Sequence, residues 1–331
     1  MGKEDSVKLN VAVVYGGRSG EHEISIRSAE SIIAALDPAR YQVTRYFISP
    51  EGKWSPGPIL PEPGANAGID VVFPVLHGTF GEDGTVQGLL ELAELAYVGA
   101  GVMSSAVAMD KEATKRLCQE RGLPVVEYVV QFRGQLDADA AERAFAYPVF
   151  VKPANLGSSV GISKAHDRAE LEDALKLAAQ FDRKVIIERA IVGRELECAV
   201  LGNEEPRAAL PCEVFPSQEF YDYNDKYVLD KTRFGLPADL DLQQMAEVRR
   251  LAVECVKAVG CQGMARVDFL IESGTGRIFI NEINTIPGFT SISMFPKMWE
   301  HVGLGYPALV DELIRLALER QAAVRATRYS R

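Results

Sequence analysis

The stretch that most constrains this chain is RVDFLIESGTGRIFINEIN, residues 266–284. Two runs of alternating character flank Ser273-Gly274-Thr275-Gly276, and such runs around a glycine-bearing turn predict an antiparallel hairpin. Side chains on a strand alternate between faces, so the register decides which residues share a surface. With the turn centred near Gly274, Asp268 falls opposite Ile280 and Arg266 opposite Glu282. Arg266, Asp268, Glu282 and Asn284 then occupy one face, together with apolar Leu270 and Ile280. A solvent-facing Arg266–Glu282 pair fits the same residues and is worth only about 0.2–1 kcal/mol. Carboxylates over an apolar floor fit a pocket wall better. Hard oxygen donors at this density suit Mg²⁺, which takes one or two carboxylates plus substrate phosphates. Arg266 would stabilise charge on a transferring phosphoryl or acyl group.

The chain around this hairpin has 331 residues, which suits two or three domains. Apolar runs at 11–15, 41–48 and 71–76 alternate with helical patterns at 25–36 and 85–95, the signature of parallel strands with crossover helices. This first domain is expected over 1–109. A second, more antiparallel α+β region is expected over 110–204. It has a helix at 111–121, stopped by Gly122 and Pro124, strands at 125–132, 149–152, 161–164, 185–188 and 195–201, and a helix at 169–181. A third region over 205–331 is expected to carry strands at 208–214, 264–272 and 277–283 and helices at 242–259 and 306–325. Within it, 218–234 is rich in Tyr, Asp and Lys and weakly periodic. It reads as a solvated loop or as a lid, the usual role of a long loop in an enzyme.

Lys and Arg total 36 against 46 Asp and Glu, a net charge of -10 that argues against a general nucleic-acid binder. No run approaches the roughly 18 apolar residues of a membrane helix, and residues 1–10 do not read as a signal peptide. Five scattered cysteines without a CxxC pair read as buried thiols of a cytoplasmic protein rather than disulfides or a zinc site.

Two nucleotide fingerprints are missing. There is no GxxxxGK[ST], and Gly16-Gly17-x-x-Gly20 lacks the GxGxxG spacing, which disfavours a dinucleotide oxidoreductase. Phosphates would instead meet VFVKPANLGSSVGI, where Lys152 ends a strand and Gly157-Ser158-Ser159 lets backbone N–H groups approach an anion. Alone, that loop could equally be a hairpin turn. Lys111 after Asp110, and Glu188 at the end of Val185-Ile186-Ile187, add weight to the nucleotide reading.

Asp268, Glu282-x-Asn284 and the following Thr285-Ile286-Pro287-Gly288 resemble the metal site of the ATP-grasp ligases. The ending NTIPGFTSISMFP and the string His77-Gly-x-x-Gly-Glu-Asp-Gly are similar to the D-alanine:D-alanine ligase family over nearly the whole chain. The resemblance implies an α/β (α+β) ATP-grasp fold: an N-terminal parallel-sheet domain, then two α+β domains sandwiching ATP. It further implies two Mg²⁺ ions, with Mn²⁺ as a substitute, two D-alanine sites and a homodimer.

Carried over by that resemblance, Asp268, Glu282 and Asn284 bind metal, while Lys111, Lys152 and the Gly157-Ser158-Ser159 loop meet phosphates. Glu188 and the main chain at Ala190 and Ile191 take the adenine amino group, Glu195 the ribose, and Phe150, Phe220 and Leu270 the base. On composition alone, Glu188 and Glu195 could be surface carboxylates. Glu23, whose bland reading is a helix-start carboxylate, would bind the first ammonium, linked to Ser158 and Tyr227, with His77 near the first carboxylate. Ser293 and Met294 would receive the second D-alanine. Arg266 and the Gly288 amide would hold the oxyanion. In Tyr221-Asp-Tyr-Asn-Asp-Lys-Tyr227, Lys226 would reach the γ-phosphate and Tyr227 would favour an amine nucleophile. The alternatives are a D-lactate- or D-serine-using relative and a non-catalytic ATP-binding regulator.

Overall fold

In the computed structural model, which describes residues 8–216, 232–290 and 292–328, the N-terminal strand–helix repetition closes into a five-stranded sheet. Its strands are β1 (Leu9–Gly16), β2 (Tyr41–Ile48), β3 (Trp54–Ser55), β4 (Val71–Val75) and β5 (Ala96–Tyr97), in the order β3-β2-β1-β4-β5. All pairings are parallel except β2–β3. Strands β1 and β4 read as continuous apolar runs because both faces are covered. On one side Val11, Val13, Val71 and Phe73 pack against α1 (His22–Ala35) and the C-terminal helix α9 (Tyr306–Arg325). On the other, Ala12, Val14 and Val72 meet Val86 and Leu90 of α2 (Thr85–Leu92).

The second sheet is antiparallel, with β6 (Tyr128–Phe132), β7 (Val149–Pro153), β8 (Ser163–Ala165) and β9 (Lys184–Arg189) in the order β6-β9-β7-β8. Helices α5 (Ala138–Ala144) and α6 (Arg168–Phe181) cover one face, with Leu171, Ala174 and Leu175 against Val149, Val151 and Ile187. Asp137 and Asp167 cap these helices by accepting from Ala140 N and Glu170 N at 3.1 and 3.0 Å.

The third sheet joins β10 (Gly193–Gly202), β11 (Arg207–Ala208), β12 (Cys212–Phe215), β13 (Arg233–Gly235), β14 (Gly263–Glu272) and β15 (Ile278–Asn284) in the order β13-β12-β10-β14-β15, with β11 on β10. Its back packs on α3 (Val102–Met109), α4 (Lys111–Glu120) and α7 (Leu242–Ala258). Its front meets the first sheet through α8 (Met294–His301) and α9.

Several expectations change here. A boundary at 204 separates β10 from β12 and β14, the strands it pairs with, so residues 193–202 belong to the third sheet. The strand expected over 208–214 breaks into β11 and β12 around Pro211, which has no N–H for a ladder. Residues 233–234, expected in the lid, pair with β12. Helices α3, α5 and α8 escaped the reading. In α8, Pro296 looks like a breaker but sits in the first turn, where its missing N–H costs nothing.

Candidate active site

Strands β14 and β15 form the expected hairpin, in a different register. Arg266 pairs with Asn284 and Asp268 with Glu282, and a bulge follows, so that Phe269 faces Ile280 and Leu270 faces Phe279. Asn281 is the extra residue. The four polar residues therefore share a face as expected, but Asp268 lies opposite Glu282 rather than Ile280. Ile280 turns to the α7 core, away from Leu270. On the next strand Glu197 of β10 pairs with Asp268. Glu197, Asp268 and Glu282 thus stand abreast across three strands.

Arg266 is held within this row. Its Nε and Nη2 donate to the two Asp268 oxygens at 2.7 Å each, and Nε lies 3.5 Å from Glu197 Oε1. Glu197 and Asp268 are buried; Arg266 and Glu282 keep some exposure. Lys111 Nζ, at the start of α4, approaches Glu282 Oε2 at 3.4 Å and donates to Leu156 O at 2.7 Å.

A cavity of about 670 Å³ opens in front of this row. It gathers Glu21, His77 and Glu82 from the first sheet's loops, Gly157 and Ser158 from the second, and Arg266, Glu282, Asn284, Gly288, Ser293 and Met294 from the third. Lys111 also lines it. Glu23 does not, because it points outward from the first turn of α1 with its side chain exposed. The carboxylate at this corner is Glu21, whose Oε2 comes so near Gly78 that a β-carbon there would meet it at 2.7 Å. Gly78 also has φ +73°, a backbone conformation that favours glycine.

His77 is buried and ties loops together: Nδ1 lies 2.9 Å from Ile286 O and Nε2 3.0 Å from Ser28 Oγ. A carbonyl only accepts, so Nδ1 carries the proton and Nε2 takes the serine hydroxyl. Burial holds its pKa below the usual histidine value, against the pull of Glu21. Glu82 accepts from Gly78 N at 2.7 Å and from Ile286 N at 3.1 Å. Its burial and the neighbouring Glu21 push it up to about 8, against those two backbone donors. Through His77 and Glu82, the 77–84 loop fixes the loop that carries Gly288.

The Gly157-Ser158-Ser159 loop is strained, since Ser158 and Ser159 have φ of 53° and 59°, a region that costs non-glycine residues about 1–2 kcal/mol each. The remaining nucleotide residues lie beyond the cavity lining. Lys152 Nζ contacts Glu188 Oε2 at 2.6 Å and Asn281 Oδ1 at 3.4 Å, and its ammonium is 5.6 Å from the Phe150 ring centre. Phe150 pairs with Glu188 across β7 and β9, and Glu195 pairs with Leu270 across β10 and β14. Ala190 and Ile191 follow β9 directly. Glu188 has a second partner the sequence reading missed, Lys115 Nζ at 2.8 Å from Oε1. Burial alone would raise the Glu188 pKa, but the two ammonium groups outweigh it and bring it down to about 2. Lys115 lies one helical turn beyond Lys111, and both belong to the buried face of α4.

The donor set of the hairpin suits a hard cation. Asp268 and Glu282 are opposed carboxylates, and Asn284 Oδ1 is buried without a hydrogen-bond partner, a pre-placed acceptor awaiting a donor or an ion. Among the described residues no three His, Cys, Asp or Glu side chains converge as a metal site, so this set depends on the amide and on ligand oxygens. Ser293 Oγ accepts from Thr290 N at 3.0 Å, and a β-carbon on Gly288 would lie 2.8 Å from it, so backbone and hydroxyl face the same space. Phe220, Lys226 and Tyr227 lie outside the described residues, as does most of the expected lid. Glu21, Glu82, Glu197 and Lys115 are the site residues missed from sequence. Glu197 follows Glu195 with the strand period of two, and Lys115 follows Lys111 with the helical period of four, so both had a signal.

All five cysteines are buried and unbridged, as expected. No helix among the described residues is long and apolar enough to cross a membrane.

Family models described as the D-ala D-ala ligase N-terminus and C-terminus match residues 10–63 with 58–100, and 117–315. A D-alanine–D-alanine ligase of Solibacter usitatus is 66% identical over 325 residues, covering 98% of this chain and 100% of that one. The D-alanine-D-alanine ligase structure from Coxiella burnetii superposes with a TM-score of 0.86 at 38% identity, over 97% of each chain. The D-Ala:D-Ser ligase VanG from Enterococcus faecalis gives 0.87 at 34% identity, over 94% of this chain and 100% of that one. With matches to both halves and near-complete coverage, this chain belongs to the D-alanine–D-alanine ligase family, whose members are ATP-dependent ligases.

Proposed function

We propose that this chain condenses two D-alanine molecules at the expense of ATP, releasing ADP and phosphate, to give the dipeptide used in peptidoglycan precursors. The observation that carries this reading is the cavity where Arg266, a row of carboxylates and the ends of all three sheets converge. The first D-alanine carboxylate attacks the γ-phosphorus of ATP, and an acyl phosphate and ADP result. The amine of the second D-alanine then attacks that carbonyl, loses a proton, and phosphate departs.

Glu21, in place of Glu23, binds the first ammonium, beside His77 and Ser158. Lys111, Lys152 and the 157–159 loop hold phosphates, and Glu188 and Glu195 hold the nucleoside with Ala190, Ile191, Phe150 and Leu270. Arg266 and the Gly288 N–H stabilise the oxyanion as it forms. Ser293 and Met294 receive the second substrate. Phe220, Lys226 and Tyr227 serve the base, the γ-phosphate and the amine nucleophile respectively. Asp268, Glu282 and Asn284 would hold Mg²⁺, which when bound neutralises phosphate charge. The first domain supplies substrate groups and the other two enclose ATP. The enzyme works in the cytoplasm as a homodimer.

The test is phosphate release with ATP, Mg²⁺ and D-alanine. Turnover with D-alanine and none with L-alanine is expected, and equal turnover of both would refute the assignment. The VanG likeness favours a second reading, in which D-serine is the second substrate. Competition between D-alanine and D-serine, with product mass as the readout, separates the two.

A further inference from the structure

Arg266 spends this state clamped by Asp268, the same carboxylate that the proposed cation needs. Both Asp268 oxygens accept from the guanidinium at 2.7 Å, so neither is free to ligate without loosening that pair. The third carboxylate of the row resolves the conflict. Adjacent strands lie about 4.8 Å apart, which puts the backbone of Glu197 on the far side of Asp268 from Glu282, about 10 Å from it. A cation between Asp268 and Glu282 would repel the guanidinium toward Glu197, whose Oε1 is already 3.5 Å from Arg266 Nε. The residue across from Arg266 on β10 is Ala199, with no side chain beyond Cβ to obstruct the move.

We propose that Glu197 is a positioning residue that takes over Arg266 when Asp268 turns to the metal, keeping the guanidinium in the cavity at the place where oxyanion charge develops. This rests on the reading of Asp268, Glu282 and Asn284 as the metal site. A neutral residue at 197 would leave Asp268 as the main anchor of Arg266, so that metal and arginine compete for one carboxylate. Glu197 relieves that competition.

The test is a double-mutant cycle on the full chain, read by electron paramagnetic resonance titration with Mn²⁺ in the presence of ADP. Glu197→Gln is expected to weaken Mn²⁺ binding about fivefold, within the usual range for coupled neighbours. Arg266→Met is expected to tighten it, since the competitor is gone. Adding Glu197→Gln to Arg266→Met should then change affinity by less than about twofold, because the effect runs through the arginine. An equal loss in both backgrounds means that Glu197 acts on the cation directly and overturns the proposal, as does no loss in either. Should Glu197→Gln fail to fold, Glu197→Asp carries the same cycle with a smaller loss in the wild-type background only. Asp268→Asn serves as the control. Mn²⁺ binding that survives it overturns the underlying metal assignment, a result distinct from failure of the cycle.

Discussion

Glu188→Gln removes the one carboxylate between two buried ammonium groups, and its cost can be worked from the structure. Lys115 and Lys152 lie 2.8 and 2.6 Å from the Glu188 oxygens, and all three side chains are largely withdrawn from water. A carboxyl lowered from 4.5 to about 2 by its partners contributes on the order of 3 kcal/mol at neutral pH, at about 1.4 kcal/mol per tenfold. Removing one partner of a buried ion pair typically costs about 3–5 kcal/mol, so two routes agree in magnitude. With an unfolding entropy of about 2.1 cal/mol/K for each of 331 residues, Tm should drop by about 5 °C, and by more if the central sheet melts alone. The folded pKa is depressed, so this stability is present above pH 4.5 and is lost as pH falls from 4.5 toward 2. Scanning calorimetry of both proteins should therefore show the gap at pH 7 closing through that window. A Tm within 1 °C of wild type at pH 7 would refute the reasoning, since the pair would then only repay its own desolvation. A Glu188→Leu, Lys115→Met double variant should be less destabilised than Glu188→Gln, because it leaves a single buried lysine rather than two.

Three further outcomes follow from the same geometry. Glu21→Gln should lower kcat/KM for D-alanine at least tenfold, whereas Glu23→Gln should change it less than twofold, because only Glu21 lines the cavity; steady-state kinetics decide it. Glu82 has a raised pKa of about 8, so its contribution is fully present below pH 4.5 and is lost as pH rises through 8. Destabilisation of the wild type between pH 4.5 and 8, measured by chemical denaturation, should be reduced in Glu82→Gln. A thiol reagent should label none of the five cysteines in the native protein and all five in denaturant, because every one is buried and unbridged.

What was legible from sequence was local. Periodicity placed β2 and α9 at their observed limits, and it identified the hairpin of β14 and β15 because two strand-like runs flank a glycine-bearing turn. The four-residue polar face survived a wrong register. The bulge absorbed the error at Asn281, beyond the residues that matter, so Asp268 and Glu282 stayed on the same side. Glu21 and Glu23 shows the limit of this reading. Both open the same helix two residues apart, and nothing in Gly20-Glu21-His22-Glu23 says which one faces inward, since that depends on where the 77–84 and 157–159 loops come to rest.

By itself the sequence determined most of the longer elements, the cluster of hard oxygen donors and the glycines of the anion loop, because these are properties of short segments and their hydrogen-bonding needs. The tertiary structure alone decided which strands are neighbours. β10 leaves the second region to pair with β14, which brings Glu197 beside Asp268. Lys115 of α4 meets Glu188 of β9. Helix α9 returns to the first sheet, where Arg320 donates to the carbonyls of Tyr97 and Gly99. Each of these contacts joins residues far apart in the chain. Burial strengthens the charge pairs among them by lowering the local dielectric, and periodicity along a single segment carries no information about either effect.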